Sequence, residues 1–146
     1  MWSDQEIGFW KEYLQANHGL DGELERLDGE FDLNIAVRVD GRLDAVLKVM
    51  RVGCGSGLVG MQVEALDHLA ATMPDLPVPR VIRRHDGAAA AAVKDLSGDE
   101  RIAWVISAID GLPLGAMRPH PAALVHEIGY TLGRMTAGLE GFDHAA

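Results

Sequence analysis

The stretch Arg42-Leu43-Asp44-Ala45-Val46-Leu47-Lys48-Val49-Met50 carries the strongest structural signal in the chain. It is rich in branched apolar residues and follows Asp40-Gly41, a dipeptide typical of two-residue hairpin turns. We therefore predict that it forms the second strand of a β-hairpin. Alternation along the strand places Val46, Lys48 and Met50 on one face, so Lys48 has apolar neighbours on both sides.

A lysine in this position has two explanations. Its side chain can extend from the edge of the sheet into water. Alternatively, its ammonium group is held in place as a point charge for an anion such as a nucleotide phosphate. The chain has only three lysines against ten arginines, so a purely solubilising role is less expected.

The length and composition of the chain limit its function. Its 146 residues are enough for one domain with its own hydrophobic core. A net charge of −9 without a cluster of Lys and Arg argues against a nucleic-acid partner, because phosphate backbones need a basic patch. No apolar stretch approaches the ~20 residues that span a bilayer, so we expect no membrane partner.

Cysteine usage and the N-terminus indicate the compartment. The single cysteine, Cys54, cannot form an internal disulfide bond. The N-terminal residues lack the basic start and the apolar run of a signal peptide. We therefore expect the protein to be cytoplasmic.

A helix and a three-stranded meander are predicted in the first third of the chain. Ser3-Asp4-Gln5-Glu6 has the spacing of a capping box, and Asn17-His18-Gly19 is typical of a helix end. Residues 23–28 and 34–40 have strand composition and precede the strand at 42–50. Short connections between them favour antiparallel pairing.

The turn also predicts which residues of the hairpin face one another. A strict two-residue turn at Asp40-Gly41 places Ile35 opposite Val46 and Leu33 opposite Lys48. The lysine would then border an apolar platform. Its predicted members are Ile35, Val37, Val46 and Met50.

A second helix is predicted over residues 58–73, where apolar residues recur at helical spacing. Gln62 lies within that apolar stripe, four residues from Leu58 and from Leu66. Glu64 falls on the opposite side. The polar group that this helix directs inward is therefore predicted to be Gln62.

The remaining elements complete an α+β domain. Three more strands, a linker and a last helix bring the antiparallel sheet to five or six strands. The predicted strands are residues 80–85, 89–96 and 101–109, and the predicted helix is residues 121–139. We divide the chain into residues 1–109, a linker at 110–118, and residues 119–146.

Several motifs, in this order, resemble the aminoglycoside phosphotransferase family, including its hydroxylysine- and choline-kinase-like members. They are His18-Gly19-Leu20, Gly29-Glu30-Phe31-Asp32-Leu33-Asn34, Val46-Leu47-Lys48-Val49, Leu76-Pro77-Val78-Pro79 and Asp110-Gly111-Leu112-Pro113-Leu114. The resemblance implies a protein-kinase-like fold. It covers nearly the whole chain, which would correspond to the small, nucleotide-binding lobe and the first helix of the large lobe.

The resemblance implies a role for the charged strand. Lys48 matches the lysine that holds the α- and β-phosphates of ATP, and Ile35 and Val46 would cover the adenine. The family places a carboxylate on the following helix to pair with this lysine. Here the matching position is Gln62, which could hold Lys48 only through a hydrogen bond without charge assistance.

The resemblance also implies two backbone contacts with the nucleotide. The loop that contains Gly29, Glu30 and Phe31 would lie over the phosphates. Backbone groups of Ser107 and Ile109 match the hinge that pairs with the adenine edge.

The family's catalytic loop and its magnesium-binding aspartate have no counterpart in the sequence. We therefore expect a fragment that binds ATP or GTP with Mg²⁺, has metal ligands outside this chain, and transfers no phosphate alone. The parent would phosphorylate a hydroxyl of a small amine-bearing molecule. Its other parts would be the missing large lobe and a possible fused aminotransferase-like domain.

Two other readings stay open. The chain could be a non-catalytic interaction or ligand-binding module with the same fold, or an unrelated α+β domain with a solvent-exposed lysine. The last helix and Phe142 would lack their usual partners in a fragment. We therefore also predict self-association through this surface.

Overall fold

The computed structural model describes residues 2–109 and 111–145, which form three α-helices and one six-stranded sheet. The helices are α1 (Asp4–His18), α2 (Ser56–Thr72) and α3 (Ala122–Gly138). The strands are β1 (Glu23–Leu27), β2 (Leu33–Val39), β3 (Arg42–Val49), β4 (Val81–Ile82), β5 (Ala90–Lys94) and β6 (Glu100–Ser107). A short 3₁₀ turn, Leu114–Ala116, precedes α3. The predicted α+β class is confirmed.

The sheet is antiparallel, with the order β1-β2-β3-β6-β4, and β5 pairs with β6 beside β4. The central strands are therefore β3 and β6. Because β6 pairs with β3 on one side and with β4 and β5 on the other, it joins the N-terminal meander to the later strands.

The capping signals of α1 are confirmed. The Ser3 hydroxyl accepts a hydrogen bond from the Glu6 amide at 3.2 Å, and the Glu6 carboxylate accepts one from the Ser3 amide at 3.0 Å. At the other end Gly19 adopts a left-handed conformation with φ 66° and caps the helix.

The hairpin turn is confirmed, but the predicted register is wrong beyond it. Asp40 and Gly41 have φ 51° and φ 76°, the left-handed values of a two-residue hairpin turn. A β-bulge then leaves Asp44 without a partner on β2. As a result Lys48 faces Asn34, and Ile35 faces Leu47 instead of Val46.

Each face of the sheet carries its own core. On one face Trp10 and Leu14 of α1 pack against Ile35, Leu47 and other strand residues that are almost fully buried. The other buried residues of this core are Val37, Ala45, Val49, Ala103 and Val105. Each buried aliphatic side chain of this kind contributes about 1.5–3 kcal/mol relative to its exposed state.

On the other face α2 packs through Val59 and Val63 against Met50 and Trp104. The predicted packing stripe of α2 is therefore rotated, since Leu58 is 37% exposed. Apolar residues nearly encircle this helix, so periodicity alone could not select the buried side.

The C-terminal part of α3 lies against α2. A Cβ atom at Gly138 would come within 2.7 Å of Met73 Cγ, so only glycine allows this close approach. Arg134 forms an ion pair with Asp75 at 2.7 Å. Phe142 was predicted to lack a partner, but it is half-buried, with its ring centroid 5.5 Å from that of His68.

No helix within the described ranges is long and apolar enough to cross a membrane.

His18, at the end of α1, is a buried titratable group. It is 9% exposed, and neither ring nitrogen has a hydrogen-bond partner among the described residues. Burial is the main cause that lowers the pKa of His18, and the charge of Arg84 lowers it further. The backbone of Arg83 and Ile82 opposes this shift only in part, because neither segment lies in hydrogen-bond geometry with the ring. The folded protein therefore holds this imidazole in its neutral form.

This burial predicts a pH-dependent stability. The unfolded chain binds the proton more tightly, so the stabilising contribution is fully present above pH ~6.5 and is lost as the pH falls through the lower, folded pKa. We expect the free energy of unfolding to decline between about pH 7 and pH 5. Urea titrations of wild type and His18→Leu test this, because the variant should show a flatter pH dependence. The exposed His126→Leu is the control, and equal slopes for all three proteins would contradict the prediction.

Candidate functional site

Lys48 is the second-to-last residue of β3 and lies on the face of the sheet that α2 covers. Its Nζ donates a hydrogen bond to Asn34 Oδ1 at 3.1 Å and lies 6.0 Å from the centroid of the Trp104 ring. The side chain is half-buried. The ammonium group is therefore held at a defined position on an apolar surface, and it does not extend freely into water.

The pairing of the strands produces this arrangement. Lys48 faces Asn34 on β2 and Trp104 on β6, so both contacts come from its direct cross-strand neighbours. Trp104 is itself fixed, because its Nε1 donates to Met50 Sδ at 3.4 Å. Asn34 was not among the predicted site residues, because a hairpin without a bulge places Leu33 opposite Lys48.

The apolar surface beside Lys48 differs from the predicted platform. Val46 faces Ala36 on β2 and Ile106 on β6, and these three side chains share the lysine's face. Ile35 is fully buried on the opposite face, against the α1 core, so the prediction that Ile35 and Val46 lie together is wrong. Asp44, a poor strand former inside the predicted strand, was the available signal of the bulge.

The loop between β1 and β2 packs close to this site. A Cβ atom at Gly29 would lie 2.6 Å from the Asp32 carbonyl oxygen and 2.8 Å from Asn34 Nδ2, so Gly29 allows the loop to approach the lysine's partner. The Asp32 carboxylate accepts a hydrogen bond from the Arg51 amide at 2.8 Å. These contacts join the loop to the start of the β3–α2 connection.

The tip of this loop is exposed. Phe31 is 66% exposed, and the Arg51 guanidinium lies 6.0 Å from its ring centroid. Glu30, next to it, is also exposed. The structure thus brings Gly29 close to Lys48 through Asn34 and leaves Glu30 and Phe31 at the surface.

The end of β6 contains the two predicted hinge residues. The Ser107 amide donates to the Arg80 carbonyl and the Ser107 hydroxyl accepts from the Arg80 amide, both at 2.8 Å. The side chain of Ser107 therefore matters, which the sequence argument did not foresee. Ile109 is 51% exposed, and its amide makes no hydrogen bond to another described residue.

The helix α2 directs no carboxylate at Lys48. Gln62 is half-buried but makes no hydrogen bond within the described part of the chain. Glu64 is exposed and faces the C-terminal tail, 3.6 Å from His144 Nε2. The neutral Asn34 is therefore the hydrogen-bond partner that the structure gives Lys48.

Comparisons with known proteins support the fold. No protein-family model and no curated protein matches the sequence. A solved structure of the amicoumacin kinase hAmiN, in complex with AMP-PNP, Ca²⁺ and Ami, is similar with a TM-score of 0.72 and 13% identity, over 99% of this chain and 42% of that one. The chain has a kinase-like fold.

A second solved structure agrees with this result. The microcompartment-associated aminopropanol kinase is similar with a TM-score of 0.62 and 19% identity, over 92% of this chain and 39% of that one. The resemblance to small-molecule kinases is thus confirmed at the level of the fold. This kinase-like chain spans about two fifths of the length of the two solved structures that it matches.

The environment of Lys48 predicts that the lysine contributes little to stability. Lys48→Met replaces an ammonium group beside Met50 and Trp104 with an apolar side chain of similar length, so we expect the free energy of unfolding to change by less than about 1 kcal/mol. Trp104→Ala should instead cost about 3–5 kcal/mol. Urea unfolding measures both. A cost above about 2 kcal/mol for Lys48→Met would show a structural role for the lysine.

Proposed function

We propose that this chain is the nucleotide-binding lobe of a small-molecule phosphotransferase. The observation that carries the proposal is Lys48, whose ammonium group is held by Asn34 beside an apolar surface on a kinase-like sheet. An ammonium group at a fixed position suits the α- and β-phosphates of ATP or GTP. In support, the similar amicoumacin kinase was solved with AMP-PNP and Ca²⁺.

The apolar surface supplies the second half of the nucleotide site in this proposal. Val46 and Ile106, which are both half-buried, would cover one face of the base. The fully buried Ala36 lies beneath them, at the register position first predicted for Ile35. The backbone of Ile109 is available to pair with the edge of the base, together with the carbonyl of Ser107. Gly29, Glu30 and Phe31 would lie over the phosphates.

In this proposal, metal and acceptor binding would use groups outside this chain. No cluster of three or more His, Cys, Asp or Glu side chains that could hold a metal ion occurs among residues 2–109 and 111–145. When bound, Mg²⁺ would neutralise phosphate charge. Lys48 would share that task, and the half-buried Gln62 of α2 would support it in the parent.

The activity belongs to a longer protein in this proposal. The chain spans 42% and 39% of the two similar kinases, which supports a parent with a second lobe. That lobe would supply the base, the metal ligands and the acceptor site, so this chain alone would transfer no phosphate. The parent would act in the cytoplasm on a hydroxyl of a small amine-bearing molecule.

One observation favours a second candidate, a non-catalytic ligand-binding module. Lys48 has a neutral partner, Asn34, where a carboxylate would give a stronger, charge-assisted pair. A module that binds a nucleotide without turnover needs only the lysine and the apolar surface. Phosphate transfer by the parent, measured with a small amino alcohol as acceptor, separates the two candidates.

Nucleotide titration tests the proposal directly. We expect calorimetry to show saturable binding of ATP or GTP with Mg²⁺ to the wild type, and at least a ~10-fold loss of affinity in Lys48→Met, because the phosphate loses a charge-assisted hydrogen bond. Lys94→Met is the matched control, since it removes an exposed lysine on β5 and should bind normally. Absence of binding to the wild type, or equal binding to all three proteins, would refute the proposal.

The exposed side of α3 predicts a further property of the isolated chain. Val125 and Leu132 are 57% and 51% exposed, and in a parent they would pack on the second lobe. Without that lobe we expect association that grows with concentration, measured by sedimentation equilibrium. The double variant Val125→Lys, Leu132→Lys should be monomeric. A monomeric wild type at ~100 µM, near the affinity of weak transient interfaces, would contradict this.

A further inference from the structure

An apolar groove lies between α2 and β5, two strands away from Lys48. Its volume is about 400 Å³. One wall is formed by Val59, Gly60 and Val63 of α2, and the floor by Ala90, Ala92 and Ile102 of the sheet. The small side chains of Ala90 and Ala92 leave this volume open, because larger residues at these two positions would fill it.

The groove opens onto an unpaired strand edge. Within the described ranges β5 pairs only with β6, and residues 89–94 make no other backbone hydrogen bonds. The edge contains four consecutive alanines, Ala89 to Ala92, with no proline, and Lys94 is its one charged residue. Edges of sheets are usually protected by charge, proline or a covering element, so this edge is suited to pair with an added strand.

The shape of the groove indicates which side chains a bound segment should have. An added strand would form backbone hydrogen bonds with β5 and direct alternate side chains into the groove. Bulky aliphatic side chains would fill it, whereas the alanines of a second β5 would not.

The charges around the groove indicate which charge a partner segment should carry. Glu100 lines the groove and forms no ion pair within the described part of the chain. Lys94 faces Glu100 across the ladder without a contact short enough for an ion pair. The whole chain carries a net charge of −9, so a segment with basic flanking residues is favoured.

We propose that the groove between α2 and β5 binds an extended segment of a partner protein, added as a strand to β5. This segment carries bulky aliphatic side chains at alternate positions and basic residues at its ends. The inference does not depend on nucleotide binding, because none of the residues used here contributes to the Lys48 site.

A synthetic peptide tests this inference. The probe is fluorescein-labelled Lys-Thr-Leu-Thr-Leu-Thr-Lys, in which the leucines share one face of a strand. We expect saturable binding to the full chain by fluorescence polarisation, with a dissociation constant below about 1 mM. The same peptide with proline in place of the central threonine should lose at least tenfold in affinity, since proline removes a ladder hydrogen bond.

Two protein variants provide the matched comparison. Ala92→Arg places a bulky cation on the exposed floor of the groove and should weaken binding at least tenfold, whereas Ala71→Arg, on the exposed side of α2, should leave it unchanged. Circular dichroism establishes that both variants fold. Absence of binding, or equal binding of the proline peptide, would overturn the inference. So would a wild-type dimer that Ala92→Arg dissociates, because a second copy would then occupy the groove.

Discussion

The hydrogen bond between Lys48 Nζ and Asn34 Oδ1 is the contact on which the candidate site depends. It fixes a positive charge on a surface that is otherwise apolar, between Val46 and Met50 on its own strand and Trp104 on the next. A half-buried ammonium group without a partner would bear an uncompensated desolvation cost. The hydrogen bond to Asn34 removes part of that desolvation cost. Because Asn34 is neutral, the positive charge of Lys48 stays uncompensated and can attract an anion.

The two faces of the sheet differ in their role, since one forms the main core and the other carries the candidate site. The face against α1 contains Ile35, Leu47 and Val105, all fully buried, and it has the close packing of an ordinary core. The opposite face combines the α2 core with Lys48 and the surface around Val46. Alternate side chains of β3 point to opposite faces of the sheet. The packing of its buried residues against α1 therefore fixes the strand, and with it the position of Lys48 on the opposite face.

The helix α2 connects several parts of the molecule. It packs on Met50 and Trp104 beneath the lysine, and α3 and the C-terminal tail lie against its outer side through Gly138 and Phe142. Its N-terminal half forms one wall of the groove beside β5. A ligand bound in that groove would therefore touch the helix that supports the candidate nucleotide site, whereas a lobe packed on the exposed side of α3 would act on that helix only through α3.

Local signals in the sequence determined a large part of this structure. The capping box at Ser3, the turn at Asp40-Gly41 and the alternation along residues 42–50 each depend on residues a few positions apart. The alternation by itself places Lys48 on an apolar face. These features follow from backbone conformation and side-chain hydrogen bonding within single elements. The kinase-like fold was also predictable, because several motifs resemble, in their order, those of a known kinase family.

Only the tertiary structure decided the details of the site. The bulge at Asp44 reverses which β2 residues face Lys48, so Asn34 and Ala36 replace Leu33 and Ile35. The rotation of α2 likewise depends on packing against Met50 and Trp104, residues distant in sequence. Such choices are made by the total packing and hydrogen bonding of several elements at once, and no single stretch of the sequence contains that information.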